Sequence, residues 1–170
     1  NMATIHSLEL FISVYTTKNI TETAKQYYCS QPSVSRCIKD LEEEYHTVLF
    51  ERYHHKLLAT PSADILYTHA LRVLNSYNSL EQAMLTHNEK IRIGSTVTMS
   101  NTLLPKYIQQ YSKQYPSIRI EVSVSNGENI YQDLLHNAID IAFIENMISS
   151  SEVVAIPFYQ DELVLLVPND

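Results

Sequence analysis

The sequence predicts a mixed fold: an all-α winged helix-turn-helix N-terminal domain, a long helix, and then an α/β unit. Three observations point there. Residues 5–45 carry helical apolar spacing broken by capping signals, Pro61 opens an uninterrupted helical stretch of about 28 residues, and from Ile91 short alternating strands alternate with helices. The expected divisions are 2–60, 61–89 and 90–170. Asn1 ahead of Met2 reads as a residue left by expression and is set aside.

The first helix follows from Leu8, Phe11, Ile12 and Tyr15, which repeat at i, i+3, i+4 and i+7. Asn19 stands three residues before Glu22, an expected N-cap and capping-box pair for a short helix through TETAKQYY. Ser30 caps the next helix, with Gln31 and Pro32 in its first turn, where a missing N–H is harmless. In CSQPSVSRCIKDLE (29–42), Val34, Ile38 and Leu41 form an apolar row. The other side bears Ser33, Ser35, Arg36 and Lys39. On spacing alone that polar side is best read as a solvated face. The run VLFERYHHKLLAT then reads as a β-hairpin with a basic tip, although no Asn-Gly or Asp-Gly turn marks it.

In the long helix Leu66, Ala70, Val73, Tyr77, Leu80, Met84 and His87 alternate spacings of four and three. Such a heptad seam is most economically buried against a second copy of the same helix. Beyond it, IRIGS and IRIEVSVS read as strands, NTLLPKYIQQYSKQY and ENIYQDLLHNA as helices, IDIAFIE as a buried strand and DELVLLVP as a further one. Strand–helix alternation implies a parallel sheet with helices on its faces.

The net charge of −7 argues against a protein that coats nucleic acid indiscriminately, but residues 1–60 hold six basic against seven acidic side chains, with the acids gathered at 40–44. A local basic face is therefore still open. The acids at 42–44 are expected on an exposed helix face. Cys29 and Cys37 have no metal-ligand partners at usual spacing, so reduced thiols are expected, Cys29 as a small buried residue and Cys37 partly exposed. Neither a signal peptide nor a long apolar run occurs, which suggests a cytoplasmic chain away from membranes. With no HExxH, P-loop, GxGxxG or GxSxG, no enzyme activity and no cofactor or metal are expected.

FISVYTTKNITETAKQYYCSQPSVSRCIKDLEEEYHTVLFER, followed by the long helix, IRIGS, LLPKYIQQYSKQYP and DELVLLVP, resembles the LysR-type transcriptional regulators over almost the whole chain. The resemblance reverses the reading of the polar face. It implies that the helix from Ser30 enters the DNA major groove, with Gln31, Ser33, Ser35, Arg36 and Lys39 toward the duplex. Small hydroxyls permit close approach, and a guanidinium fork suits a guanine edge or a phosphate. Arg52 and Lys56 would straddle the backbone as a wing, whereas His54 and His55 would add little while neutral. The α/β part is similar to the first lobe of a periplasmic-binding-protein-like effector domain. That implies a small-molecule inducer near Ser95, Thr96, Thr98 and Asn126, at strand carboxyl ends and a helix start. The alternative for Ser95 and Thr96 is simple capping of a helix beginning near Ser100.

Further expectations follow from the resemblance. The partners would be double-stranded promoter DNA and a second copy of the chain, as a dimer or higher homo-oligomer. Where the family often has glycine, this chain has Lys18, His46 and Ala63, so left-handed turns are expected to be adjusted or strained. The family's effector domain continues beyond VPND, so the lobe is expected to be incomplete, with Ser95 and Thr96 facing solvent and no saturable inducer response in this form. The alternative reading is a ligand-sensing or truncated regulatory module with weak or vestigial DNA binding.

Overall fold

The computed structural model describes residues 3–54, 56–86, 90–145 and 150–161. The first helix, α1 (Ile5–Thr17), buries Leu8, Leu10, Phe11 and Val14, while Ile12 and Tyr15 flank that core. Its start is fixed by a reciprocal capping box between Thr4 and Ser7. Helix α2 (Ile20–Gln26) is capped by Asn19, whose Oδ1 accepts from the N–H groups of Thr21 and Glu22. The expected return bond from Glu22 does not form, because the Asn19 N–H donates to Thr17 Oγ1 at 3.2 Å. Helix α3 (Gln31–Glu44) buries Val34, Ile38 and Leu41 as its apolar row predicts. Two polar residues enter this core as a satisfied set: Ser13 Oγ and Thr23 Oγ1 lie 3.0 Å apart, and Ser13 donates to Gln26 Oε1 at 2.9 Å.

Strands β1 (Phe50–Tyr53) and β2 (Lys56–Ala59) pair antiparallel, with Tyr53 opposite Lys56, so His54 stands at the hairpin's turn. His54 adopts φ 44°, supplying the left-handed conformation that such a turn needs without Asn or Gly. His55 lies outside the described residues.

Left-handed backbone also occurs at Lys18 (φ 52°) and His46 (φ 50°), the helix-end turns where glycine was missed. Such a conformation costs roughly 1–2 kcal/mol per non-glycine residue. Lys18 recovers part of it by setting Nζ 3.6 Å from the Tyr15 ring centroid. Ala63 differs: it lies fully buried in the first turn of the long helix and makes no left-handed turn.

Helix α4 (Pro61–Thr86) is continuous, and the seam residue His87 falls outside the described residues. Tertiary packing divides the heptad seam in two. Ala70 is 1% exposed within the N-terminal core and Leu66 packs against that core. Ala70 is therefore taken up by the chain's own core, while half-buried Leu66 is covered by it in part. Val73, Tyr77, Leu80 and Met84 stay exposed, at 45% for Val73, 57% for Leu80 and 65% for Met84.

The α/β part comprises β3 (Lys90–Ser95), α5 (Val97–Thr102), α6 (Leu104–Gln114), β4 (Arg119–Val124), α7 (Gly127–Leu135) and β5 (Ile141–Phe143). The sheet is parallel, in the order β4-β3-β5. Ile93, Leu104, Ile130 and Ile139 form its core. Gly94 lets α7 approach the sheet, since a Cβ there would sit 2.5 Å from Ile139 Cδ1 and 3.0 Å from Ile130 Cγ2. Two expectations need correction. NTLLPKYIQQYSKQY is not one helix: the chain breaks at Leu103, because Pro105 lacks an N–H and its ring excludes a continuing α-helix. Strand β5 is shorter and less buried than expected, with Ile141 exposed at the margin of the described sheet. The strand expected at DELVLLVP lies outside the described residues apart from Asp161.

Candidate nucleic-acid interface and ligand cleft

The polar side of α3 is built on its buried side. With Val34, Ile38 and Leu41 held in the core, Gln31, Ser33, Arg36 and Lys39 are exposed and Ser35 half-buried. Ser30 caps the helix, accepting from the Ser33 N–H at 3.2 Å, and its hydroxyl lies 2.7 Å from that of Ser33. Gln31 Nε2 donates to Ser35 Oγ at 3.0 Å. The helix start is therefore a small pre-bonded patch of hydroxyls and one amide. Arg36 makes no hydrogen bond or ion pair among the described residues, which leaves its five donors available. Lys39 meets Glu43 at 3.5 Å, one turn on, in an exposed pair of little energetic weight.

The hairpin is anchored by a residue that composition placed in the wrong role. Glu42 is half-buried, and its Oε1 accepts from the N–H groups of Leu49 at 2.8 Å and Phe50 at 3.2 Å. Glu44 is half-buried too, accepting from the Ala3 N–H at 3.0 Å. Of the three acids, only Glu43 is the exposed solvated group expected of them all. Thr60 closes the hairpin's base by donating to the Val48 carbonyl at 2.7 Å, and Phe50 packs its ring 5.8 Å from that of Phe11. Arg52 and Lys56 project exposed near the tip, where Tyr53 meets His54 edge-on. Sequence reasoning also missed Tyr28, 99% exposed at φ 51° two residues before Ser30. Nothing in the local pattern marks it.

Both cysteines are half-buried free thiols. Burial, and then the charge of Asp40, push the Cys37 thiol up, away from the reactive thiolate. On the other face of this domain, Tyr15 donates to Asp64 Oδ1 at 2.7 Å and stacks on Tyr67 at 4.1 Å, tying α1 to α4. That hydrogen bond to a carboxylate, helped by burial, pushes the Tyr15 hydroxyl up to about 12.

At the carboxyl edge of the sheet the four predicted residues separate. Ser95 is fully buried, and its hydroxyl donates to the Thr96 carbonyl at 3.1 Å. It cannot face solvent as expected, because it ends the central strand with Val124 and Phe143 beside it in register. Thr96 occupies the cap position of α5 yet makes no side-chain capping bond, and its Oγ1 is buried without a well-formed hydrogen bond. Simple capping therefore does not account for it. Thr98 is exposed, and Asn126 caps α7 by accepting from the Asn129 N–H at 2.8 Å. Glu145 joins this edge without having been foreseen. Burial raises its pKa, but the hydroxyls of Thr96 and Thr98 and its own backbone N–H outweigh burial and hold the carboxyl below its usual range. Among the described residues no cluster of three or more His, Cys, Asp or Glu could hold a metal ion, and no helix is long and apolar enough to cross a membrane.

Comparison with known proteins agrees with this architecture. Residues 5–64 match the family described as bacterial regulatory helix-turn-helix protein, lysR family, and residues 86–170 match the LysR substrate binding domain. The chain is 34% identical to the uncharacterized HTH-type transcriptional regulator YeiE of Escherichia coli K12 over 95% of its own length and 55% of the relative's. It is 32% identical to the HTH-type transcriptional regulator CysL of Bacillus subtilis over 95% of this chain and 56% of that one. The chain thus spans about half the length of the curated relatives it matches. Among solved structures, CbnR complexed with its target DNA aligns with a TM-score of 0.68 at 20% identity, covering 88% of this chain and 52% of CbnR, a likeness of fold. With both parts matched in the same order along the sequence, the chain belongs to the LysR family of bacterial transcriptional regulators.

Proposed function

We propose that this chain is a sequence-specific DNA-binding regulator that reads an operator as a dimer. In this reading residues 2–60 bind DNA, 61–89 link and dimerise, and 90–170 contribute to an effector-binding domain. The observation that carries it is the pairing of an unengaged, exposed Arg36 on α3 with a cationic hairpin, Arg52 and Lys56, rigidly tied to the same helix through Glu42. A recognition helix and a wing need that fixed relation to enter a groove and straddle its backbone together. Gln31, Ser33 and Ser35 permit close approach, and Lys39 exchanges its weak pair with Glu43 for a phosphate.

The second copy docks on the exposed part of the seam, Val73, Tyr77, Leu80 and Met84, and not on Ala70. In a full-length form, a small-molecule inducer binds at the carboxyl edge of the sheet, near Thr96, Thr98 and Asn126, where the Thr96 hydroxyl is buried without a well-formed hydrogen bond and turns toward the Glu145 carboxylate. The work is cytoplasmic, on promoter DNA. Footprinting of the chain on DNA upstream of its own gene tests the proposal. A protected dyad at low nanomolar to micromolar protein is expected, and protection indifferent to sequence would overturn it.

A further inference from the structure

Tyr28 stands in the turn between α2 and α3, in left-handed backbone at φ 51°. Its N–H donates to the Lys25 carbonyl at 3.2 Å and the Cys29 N–H to that of Ala24 at 2.9 Å, so backbone bonds alone close the turn. The residues on either side face inward. Tyr27 and Cys29 both pack against the N-terminal core, and the Tyr27 ring meets that of His6 edge-on. Tyr28 between them is turned outward, and at 99% exposure it is the most exposed large apolar side chain among the described residues.

Folding gains nothing from this arrangement. A hydrated ring contributes no burial, and a residue with a Cβ is disfavoured in left-handed backbone, where glycine or asparagine fits more readily. Lys18, in the comparable turn after α1, lays its side chain back on the Tyr15 ring. Tyr28 makes no such return. A strained residue whose side chain the fold does not use points to a partner outside the fold.

The surroundings indicate which partner. Tyr28 lies two residues before the cap Ser30, next to exposed Gln31, Pro32 and Ser33 at the start of α3. Lys25, exposed in the last turn of α2, brings a cation to the same turn. When a recognition helix enters the major groove by its start, the helix before it crosses the sugar–phosphate backbone, and the turn between them lies at the groove's rim. A phenolic O–H is one of the ordinary donors to phosphate oxygen.

We propose that Tyr28 is a DNA-contacting residue whose hydroxyl donates to a backbone phosphate at the rim of the groove that α3 enters. The contact fixes how α3 is seated and carries no base preference. It rests on the DNA-binding reading above.

The test uses the whole chain and two variants. Tyr28→Phe removes only the hydroxyl, and Tyr28→Asn removes the ring and suits the turn. The probes are the duplex defined by footprinting and a duplex of unrelated sequence, read by fluorescence anisotropy at several salt concentrations. Tyr28→Phe is expected to weaken binding to both by about tenfold, the worth of one hydrogen bond to a charged group. Its salt slope is expected to match wild type, since a neutral phenol releases no counterion. Tyr28→Asn is expected to bind no better than Tyr28→Phe and to melt no lower than wild type. Ethylation interference reads the contact itself: one phosphate whose ethylation hinders wild type should cease to matter for Tyr28→Phe. Wild-type affinity in both variants would leave the ring to a protein partner and overturn the contact. An unchanged ethylation pattern overturns it too, as does a lowered melting midpoint in Tyr28→Asn, which would show the ring serving the fold. Failure of the wild type to bind either duplex sinks the DNA-binding reading itself and the Tyr28 contact with it.

Discussion

Replacing Glu42 by alanine removes the single carboxylate oxygen that accepts the N–H groups of both Leu49 and Phe50. A hydrogen bond to a charged group contributes about 1.5–3 kcal/mol net, and a buried donor left alone costs its desolvation. Leu49 is fully buried, so its N–H has no route to water, whereas half-buried Phe50 regains some hydration. The expected loss is therefore about 2–4 kcal/mol, less than two full bonds and more than one weak one. Glutamine keeps an acceptor oxygen without the charge and should lose roughly half as much. Glu43→Ala is the internal control: its partner Lys39 is exposed, and the change should stay within about 0.5 kcal/mol. Urea unfolding followed by far-UV circular dichroism measures all three, the chain having no tryptophan. DNA binding by Glu42→Ala should weaken as well, because the wing loses its tie to α3. If Glu42→Ala unfolds within about 0.5 kcal/mol of wild type, the carboxylate is not the anchor and the argument fails.

Arg36→Ala should weaken operator binding by about 1–3 kcal/mol in fluorescence anisotropy without altering the melting curve, while Lys56→Ala should weaken all sequences alike and lower the salt slope by roughly one unit. Val73→Glu with Leu80→Glu should give monomers in sedimentation, because covering each such side chain is worth on the order of 1.5–3 kcal/mol; unchanged dimers would rule out this stretch. Asp140 is held below the usual carboxylate range, first by the side-chain bond from Arg92 and then, against burial, by the Arg92 N–H. Its folded form thus binds a proton less readily than the unfolded chain, and its stabilisation is present above about pH 3.9 and lost as pH falls through the depressed value. Asp140→Asn should flatten the acid limb of stability below about pH 4 and leave its shape at neutral pH unchanged. Gly94→Ala should destabilise the α/β part by about 1–3 kcal/mol, since Ile139 and Ile130 must give way; a neutral result in thermal melts would mean that α7 shifts freely.

The starts of α2 and α3 were legible because a cap is a local device. Asn19 and Ser30 each satisfy an N–H two or three residues away, and proximity in sequence guarantees proximity in space; Asn126 caps α7 in the same way but reads in the sequence as a ligand residue. The apolar row Val34, Ile38 and Leu41 was legible for the same reason, and so was the polar face that it leaves outside. Pro105 carried its own break, although the expectation of one helix passed over it. Partnership across the fold was not legible. Glu42, Glu43 and Glu44 look alike in sequence, yet a neighbour 7 residues on and another 41 back make anchors of two and leave the third in water. A heptad seam specifies that a stripe must be covered but not by what, and packing gave Ala70 and part of Leu66 to the chain's own core while leaving Val73 and Leu80 open. Ser95 reads as an available loop hydroxyl until two strands close on either side of it. The sequence alone determined the order of the elements and the face that each turns inward, because period and capping act within one or two turns. Tertiary structure alone decided which polar groups are spent on holding the fold and which, like Arg36, are left to act, because that depends on partners brought together from distant parts of the chain.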